Sequence, residues 1–351
     1  MKMNRSIRWS VVAAALLAIV AAGCSSKSDT STSGTAGGTG MTGSVDVSGS
    51  STVLPISQLV AENFSNDNAD AQVSVDGPGT GDGFVLFCEG KTDINDASRQ
   101  IEPEEAKACK QAGVNYVAME IGLDGITVMT NPANSQITCL NEGDLYALFG
   151  PQSEGFGSWS DANALAAKVG GKGNFPDEPL SIVAPGEESG TYDSFIDLAG
   201  IEDTAIEQGV PEDKAAALRA DYQSSPNDSV IIQGIEGSNS SLGFVGFAYA
   251  DQQGDQIDKV QIDGGDGCVE PSADTIRDGS YPLSRSLYIY VNTDKVASNP
   301  TLKSFVDYYM SDAGIAAVTD ADYVAIPSER LDASRQTWTN AEGGGSASPS
   351  A

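Results

Sequence analysis

Four short turns of small and hydroxyl-bearing residues are the places where this sequence could hold a ligand. Each follows a predicted strand and precedes a predicted helix; they are Gly49–Thr52, Gly79–Gly81, Ala97–Arg99 and Ser189–Thr191. The start of a helix presents backbone N–H groups without intrahelical partners, and Ser and Thr hydroxyls both donate and accept hydrogen bonds. Such turns are typical of sites that bind an anion.

Arg99 is the one cation within these turns, and it directly follows Ser98. Its planar guanidinium can donate two parallel hydrogen bonds to a tetrahedral oxyanion. The alternative is an ion pair with one of the many carboxylates, just as a plain helix cap is the alternative for any single turn. We expect a ligand role for Arg99 because four such turns occur in one chain.

The composition argues against catalysis and against a metal site. The chain has no histidine, and neither a G-x-S-x-G nor a Ser-x-x-Lys motif lies near the turns. "GPGTGDG" is not followed by Gly-Lys-Ser/Thr, so a nucleotide hydrolase is not predicted. No two cysteines lie within a few residues of each other, which disfavours zinc. We therefore expect a binding protein with no cofactor.

The acidity of the chain restricts its partners without excluding an anion. The formal net charge is -30, which argues against nucleic acid and against docking on anionic lipid headgroups. Hydroxyl and amide donors carry no net charge, and salt screens exposed carboxylates beyond roughly 8–10 Å. Local donors can therefore hold an anion in an acidic protein.

The beginning of the chain predicts export and a lipid anchor. Residues 1–24 have basic residues at the start and then an apolar run, 11–22, that is too short to span a bilayer comfortably. "VAAGCSS" resembles the lipobox of bacterial lipoproteins, which predicts lipidation at Cys24. The alternative is ordinary signal-peptide cleavage that leaves Cys24 as a free thiol.

Two further segments have the composition of disordered chain. Residues 25–44 are rich in Ser, Thr and Gly, so we expect a flexible tether there. Residues 337–351 end in "EGGGSASPSA", and we expect a disordered tail. The globular body is then predicted to begin at Val45.

The four remaining cysteines predict two disulfides, because their number is even and the chain is exported. Three pairings are possible. We favour Cys88–Cys109, which flanks one short strand-and-helix unit, together with Cys139–Cys268.

Strands and helices alternate along the body, which predicts an α/β fold with a largely parallel sheet. Among the later segments, 213–222 is predicted as a helix and 242–250 as a buried strand. A length of 351 residues exceeds what a single hydrophobic core usually organises, so we expect two lobes. In open α/β sheets, ligands lie at the carboxyl ends of the strands, where the four turns are predicted.

With these residues in view, the chain resembles the PstS family, the phosphate-binding lipoproteins of bacterial phosphate ABC importers. The resemblance covers nearly all of residues 45–335 and is carried by motifs in the family's order. They are "SGSSTVLPISQ", "GTGDGF..FC.G..DI..ASRQI", "LDGITVMTNP", "ESGTYDSF", "GFVGFAY" and "YPLSRSLYIYV".

The resemblance implies a type II periplasmic-binding-protein fold whose two lobes close on phosphate. It implies lobe I at residues 45–124 and 286–336, and lobe II at residues 125–285. By the same analogy the phosphate ligands are Ser51, Thr52, Val53 (through its backbone), Thr80, Ser98, Arg99, Ser189, Gly190 and Thr191.

This chain departs from the best-known members of the family at two positions. They carry Asp where Arg99 stands, and Arg where Pro185 stands. The sequence resembles a subgroup with "ASR" and "PLSR", in which Arg285 adds a second cation or makes a structural ion pair. For the carboxylate that accepts the phosphate proton we expect Asp124, ahead of Glu188; the alternative is that Asp124 caps the turn with Gly125.

These observations predict an extracytoplasmic, lipid-anchored and monomeric receptor. It would bind inorganic phosphate with high affinity and deliver it to the permease of an ABC importer. A receptor for sulfate or another tetrahedral oxyanion is the first alternative. A closed site without a carboxylate acceptor would favour it, because only phosphate keeps a proton at neutral pH for a carboxylate to accept. An exported phosphatase is a weaker alternative.

Overall fold

A computed structural model describes residues 42–187 and 189–342. Cys24, Glu188 and the last nine residues therefore lie outside the described part. The described residues form these strands: β1 (Gly43–Gly49), β2 (Ala71–Asp76), β3 (Ile94–Ala97), β4 (Tyr116–Thr130), β5 (Cys139–Asn141), β6 (Ser181–Ala184), β7 (Gln223–Ser224), β8 (Ser241–Gly246), β9 (Asp258–Lys259), β10 (Gln261–Asp263), β11 (Cys268–Val269) and β12 (Ser284–Asn292).

Helices lie between most of these strands. They are α1 (Leu54–Asp67), α2 (Thr80–Cys88), α3 (Pro103–Ala112), α4 (Glu142–Phe149), α5 (Asn163–Lys168), α6 (Gly190–Leu198), α7 (Ile201–Glu207), α8 (Glu212–Ala215), α9 (Asp228–Glu236), α10 (Phe247–Asp251), α11 (Ala273–Arg277), α12 (Thr293–Val296), α13 (Pro300–Tyr309), α14 (Asp312–Asp320) and α15 (Ser328–Glu342). None of the helices in this part of the chain is long and apolar enough to cross a membrane.

One continuous sheet runs through the molecule in the order β2-β1-β3-β12-β4-β8-β6-β7, and β9 also pairs with β4. β4 belongs to both halves of this sheet: it pairs with β12 up to Gly125 and with β8 from Ile126 onward. Pairing is parallel for β1 with β2 and β3, and for β6 with β7 and β8. The predicted parallel α/β layers are therefore present, with β4 and β12 inserted antiparallel at the centre.

Each half of the sheet carries hydrophobic cores, which gives two lobes. The larger core of the first lobe is drawn from residues 45–121 and 287–338, and the larger core of the second from residues 123–283. Val324 and Ile326 also pack in the second core, although the expected lobe division places them with the first. Smaller cores lie on the opposite faces of both half-sheets.

Both predicted disulfides are present. Cys88–Cys109 joins α2 to α3 within a buried cluster of the first lobe. Cys139–Cys268 joins β5 to β11, which lie on either side of β10 in a separate small sheet.

Both ends of the folded part extend further than the sequence predicted. β1 begins at Gly43, so Gly43 and Ser44, which were expected in the tether, belong to a strand. α15 continues to Glu342, although disorder was predicted from residue 337. The reason is Trp338, which is only 4% exposed in the first core and donates its indole N–H to Asp307 over 2.8 Å.

Two predicted elements were wrong in part. The helix expected over 213–222 stops after Ala215, because the backbone N–H of Leu218 donates to the hydroxyl of Tyr192 and that of Arg219 donates to the carbonyl of Phe149. The strand expected over 242–250 ends at Gly246, and α10 begins at the next residue. The strand ends there because its partner β4 pairs with β8 only from Ile126 onward and with β12 before that residue. Tertiary hydrogen bonds thus override both local patterns.

A buried carboxyl group lies beneath the turns of the first lobe. Asp96 on β3 is fully buried, and its backbone carbonyl accepts a hydrogen bond from the N–H of Ser50. Neither of its carboxyl oxygens has a hydrogen-bond partner among the described residues. Burial raises the pKa of Asp96 to about 7, against a smaller lowering by the nearby hydroxyl of Ser57. The folded protein therefore holds this proton more tightly than the unfolded chain does.

We predict that Asp96→Asn stabilises the protein at pH 7 but not at pH 4. Between those values the unfolded chain releases the Asp96 proton while the folded protein keeps it, so the stability that the protonated group contributes is lost as pH rises. The gain at pH 7 should be on the order of 2–4 kcal/mol in the free energy of unfolding. Urea denaturation of both proteins at the two pH values measures it.

The exposed Asp70→Asn is the matched control, because it removes the same charge from the same lobe. A difference between Asp96→Asn and the unmodified protein that does not change with pH would contradict this prediction.

Candidate functional site

A cavity of about 800 Å³ lies where turns from the first lobe meet a helix of the second. The first lobe supplies the turn before α1, the start of α2 and the turn after β3, and the second supplies α6 and its surroundings. The lining residues are Ser50, Ser51, Thr52, Pro78, Gly79, Thr80, Gly81, Asp82, Ser98, Arg99, Asp193, Ile196, Asp197, Glu202, Ala216 and Arg285. Three of the four predicted turns therefore converge on this wall, as does Arg285.

The hydroxyl groups of the first lobe are held in fixed positions. The Oγ atoms of Thr80 and Ser98 lie 3.1 Å apart, and the N–H of Ser98 donates to Thr80 over 3.2 Å. Ser50 Oγ accepts from the N–H of Thr52 over 3.2 Å. α2 begins at the cavity with Thr80 and Gly81, so its first backbone N–H groups add partial positive charge there. The wall is thus rich in uncharged donors.

Arg99 lines the cavity, but a carboxylate of its own lobe engages its guanidinium. Its two terminal nitrogens donate to both oxygens of Glu105 over 2.9 and 2.8 Å, and Nε lies 3.4 Å from Glu102. The side chain is 37% exposed. The structure therefore shows the ion pair that was the alternative for Arg99, at a position where the group also borders the cavity.

Arg285 is the more deeply placed cation. Its Nη2 donates to Ser194 over 2.6 Å and to Thr52 over 3.0 Å, and its Nη1 donates to Asp197 over 2.9 Å. Thr52 belongs to the first lobe, while Ser194 and Asp197 belong to α6 of the second. Only 12% of the Arg285 side chain is exposed. One guanidinium therefore binds both sides of the cavity.

Asp124 lies behind Arg285 instead of on the cavity wall. Its Oδ2 is 3.5 Å from Nε of Arg285, and its side chain is 6% exposed. Burial raises the pKa of Asp124, and the charge of Arg285 and the hydroxyl of Ser194 lower it. Asp124 does not border the space in which a ligand would lie, so this geometry does not favour it as the acceptor of a ligand proton. It is positioned to hold Arg285 in place.

Direct contacts between the lobes close one side of the cavity. Ser51 donates its hydroxyl to Asp193 over 2.6 Å, and the hydroxyls of Thr52 and Ser194 lie 2.8 Å apart. Gly190 packs on the same turn, since a Cβ built there would lie 2.8 Å from the carbonyl oxygen of Ser51. A glycine is needed at this position for the two backbones to approach so closely.

The structure brings the other predicted residues near the cavity without placing them on its wall. Ser189 caps α6 by accepting a hydrogen bond from the N–H of Thr191 over 3.2 Å, which is the helix-cap alternative. The backbone N–H of Val53 faces Ser50 Oγ at 3.4 Å, and its side chain is buried in the first core. Gly190 packs against the backbone of Ser51 and Thr52.

Three polar residues of α6 were not predicted from the sequence. Asp193, Ser194 and Asp197 lie at helical spacing on one side of α6 and contact Ser51, Thr52 and Arg285. The apolar residues Tyr192, Phe195 and Ile196 are buried on that helix. The apolar face of α6 predicts that Asp193, Ser194 and Asp197 lie on its polar side. The packing of the lobes turns that side to the cleft instead of to solvent.

The electrostatic balance of the wall is acidic. It carries two arginines and four carboxylates, Asp82, Asp193, Asp197 and Glu202. Burial raises the pKa of Asp193, the hydroxyl of Ser51 lowers it, and the neighbouring charge of Asp197 raises it again. A fully ionised oxyanion would meet these carboxylates unfavourably, whereas an anion that keeps a proton can donate it to one of them.

Comparison with known proteins identifies the family. Residues 29–313 match the PBP superfamily domain. The phosphate-binding protein PstS of Staphylococcus epidermidis is 31% identical over 322 residues, which cover 91% of this chain and 90% of that protein. The chain belongs to the PstS family of the PBP superfamily. The resemblance found in the sequence motifs is thereby confirmed.

Other members of the family extend this comparison. The protein SphX of Synechocystis sp. is 36% identical over 304 residues, which cover 86% of this chain and 84% of that protein. The crystal structure of a possible phosphate binding protein from Planctomyces limnophilus is 32% identical with a TM-score of 0.75, covering 86% of this chain and 99% of that one. The predicted two-lobed α/β fold is confirmed by this similarity.

A phosphate transport receptor from Vibrio cholerae shares the fold at lower identity. It is 22% identical with a TM-score of 0.58, covering 81% of this chain and all of that one. The PstS fold is thus retained across large differences in sequence.

We predict that removing Arg285 destabilises the protein more than removing Arg99. Arg285→Met leaves the buried carboxylate of Asp124 without its partner and should lower the free energy of unfolding by about 2–4 kcal/mol at pH 8. Arg99→Met breaks a more exposed pair and should cost less than about 1 kcal/mol. Urea denaturation of each variant tests this difference.

Adding Asp124→Asn to Arg285→Met should recover part of the loss, because the buried charge is removed. The loss in the single variant should also shrink toward pH 5, where the unpaired carboxyl of Asp124 can take up a proton. Equal losses for the two arginine variants, or no recovery in the double variant, would refute the positioning role of Asp124.

Proposed function

We propose that this chain is the extracytoplasmic receptor of a phosphate ABC importer. It binds inorganic phosphate in the cavity between its lobes and delivers it to the membrane permease. The observation that carries the proposal is the convergence of uncharged donors and two arginines on one cavity in a chain of the PstS family. The relatives that support it are named as phosphate-binding proteins or as a phosphate transport receptor.

The ligand contacts follow from the geometry of the wall. Ser51, Thr52, Thr80 and Ser98 supply hydroxyl and turn N–H donors, and Arg285 supplies the principal charge. Arg99 contributes a second, weaker charge because Glu105 shares its guanidinium. Ser189, Gly190 and Thr191 form the start of α6 and act by seating it against the turn of Ser51.

A carboxylate on the wall sets the preference for phosphate over sulfate. Asp193 is the best placed, because it lines the cavity and already accepts a hydrogen bond from Ser51, a proposed ligand residue. Asp197 is less suitable because its carboxylate pairs with Arg285 and is 58% exposed. Phosphate keeps a proton that it can donate to Asp193, and sulfate has none to donate.

The remaining features complete the receptor. Cys24 carries the lipid that anchors the chain to the outer face of the membrane, and residues 25–42 form the tether. The protein acts as a monomer, with β4 and β12 as the two crossings about which the lobes move. It performs no chemistry on its ligand.

The function is tested by calorimetric titration of the protein, freed of bound anion by unfolding and refolding. Phosphate should bind with a Kd of about 1 μM or lower, which corresponds to about −8 kcal/mol. Sulfate should bind at least about a hundredfold more weakly from pH 5 to 9, because no proton is available for the carboxylate. Equal binding of both anions, or binding of neither, would overturn the proposal, and turnover of an aryl phosphate would favour a phosphatase.

Asp193→Asn tests the origin of the selectivity. We expect phosphate affinity to fall by about tenfold or more, because the acceptor of the phosphate proton is lost. Sulfate affinity should rise, because a repelling charge is removed from the wall. Asp203→Asn, on α7 and outside the cavity wall, removes an equal charge from the same lobe and should change neither affinity. If both anions shift in the same direction in Asp193→Asn, the selectivity has another source.

A further inference from the structure

The Cys139–Cys268 disulfide lies in an environment that differs from that of the other bond. Nζ of Lys172 lies 3.6 Å from Sγ of Cys139 and 3.8 Å from Sγ of Cys268. Cys268 is exposed and Cys139 is half-buried. Both sulfur atoms therefore have a neighbouring ammonium, and one of them is open to attack from solvent.

The position of Lys172 is fixed by a carboxylate. Nζ lies 2.6 Å from Asp263, whose other oxygen accepts hydrogen bonds from the backbone N–H groups of Gly265 and Gly267. The ammonium and these two N–H groups lower the pKa of Asp263 to about 2. A carboxylate oxygen of Asp263 also lies within 4.8 Å of both sulfur atoms. Asp263 therefore fixes Lys172 so that its ammonium contacts both sulfur atoms, at 3.6 and 3.8 Å.

The Cys88–Cys109 bond supplies the internal comparison. Both of its cysteines are buried among the aromatic side chains Phe84, Phe87 and Tyr290. The structure gives its sulfur atoms no contact with a lysine or arginine among the described residues, and the two cysteines are 4% and 0% exposed. The same molecule thus holds one shielded disulfide and one accessible disulfide beside a cation.

We propose that Cys139–Cys268 is a redox modification site of this protein, opened selectively by low-molecular-weight thiols. The thiolate of the reductant attacks the exposed Sγ of Cys268, the S–S bond breaks, and its electron pair leaves on Sγ of Cys139. The ammonium of Lys172 stabilises that departing thiolate, because a nearby positive charge lowers the pKa of a thiol.

The reaction closes with a second thiol of the reductant. It attacks the mixed disulfide and releases Cys268 as a thiolate, so the protein gains two electrons and the reductant becomes a disulfide. The two protons of the reductant thiols pass to solvent or to the new thiolates. This site is separate from the proposed anion cavity: neither cysteine nor Lys172 lines that cavity.

Opening this bond would release a large part of the second lobe from a covalent constraint. The cysteines are 129 residues apart, whereas Cys88 and Cys109 are 21 apart. β5 leads directly into α4, and Asn141 and Asp263 of the same small sheet line a second cavity of about 500 Å³. Reduction would therefore act on the second lobe and leave the disulfide of the first lobe intact.

The test is timed reduction of the native protein with dithiothreitol, followed by alkylation and peptide mass spectrometry. Cys139–Cys268 should open at least about tenfold faster than Cys88–Cys109, because only one bond is accessible. Lys172→Met should slow that opening by about three- to tenfold, and Lys172→Arg should restore it. Lys168→Met, on the wall of the neighbouring cavity, should open at the rate of the unmodified protein.

Glutathione gives a second readout, the cysteine that carries the first adduct. As a monothiol it should form its first adduct on Cys268, the exposed sulfur, with Cys139 as the leaving group. Faster opening of Cys88–Cys109, an unchanged or faster rate in Lys172→Met, or a first adduct on Cys139 would each overturn the proposal.

Discussion

The guanidinium of Arg285 is the interaction on which the rest of the site depends. It stands near the start of β12, where the chain passes from the core of the second lobe to that of the first. From there it reaches Asp124 on the other crossing strand, Ser194 and Asp197 on α6, and Thr52 in the first lobe. Arginine keeps its charge and presents its donors in one rigid plane, so these partners fix both its position and their own. The crossing strands and the cavity are thereby coupled through one side chain.

An acidic protein can present an anion site because two of its four wall carboxylates, Asp193 and Asp197, are already engaged by donors. Asp193 accepts from Ser51 and Asp197 accepts from Arg285, so each negative charge lies beside a donor that an incoming anion would also use. The formal net charge of -30 acts mainly through solvent, where salt screens it within about 10 Å. The donors that touch the ligand act at hydrogen-bond distance, and their orientation decides what binds.

Much of the fold and part of the site could be predicted from the sequence. The strand, turn and helix order located the turns of Ser51, Thr80 and Ser98, because the starts of helices that follow parallel strands lie at the same edge of the sheet. The role of Asp124 could not be predicted, since a carboxylate beside Gly125 has the same local pattern whether it faces a ligand or an arginine 161 positions later in the chain. The ion-pair partner of Arg99 could not be predicted either, because Glu105 is one of 49 acidic residues in the chain.

The same limit explains the residues that the sequence did not reveal and the elements that were wrong. Asp193 and Asp197 matter through contacts with Ser51 and Arg285, which only the packing of the lobes creates. Trp338 holds α15 in place because it packs in the core of the first lobe and donates its indole N–H to Asp307. The local sequence around residue 338 does not predict these contacts. Periodicity reports which face of an element is buried, whereas long-range polar partners are set by how the lobes meet.

The contacts between the lobes also restrict the shape of any ligand. Ser51 with Asp193, Thr52 with Ser194, and Arg285 with Thr52 are hydrogen bonds that join the two lobes at the cavity. An anion that takes these donors breaks contacts that hold the lobes together, so it must replace them by accepting from both sides at once. A planar carboxylate directs its acceptors into one plane, while a tetrahedral oxyanion directs them outward in four directions. A ligand that binds both sides therefore needs acceptors that point in opposite directions, which a tetrahedral oxyanion supplies whatever its charge.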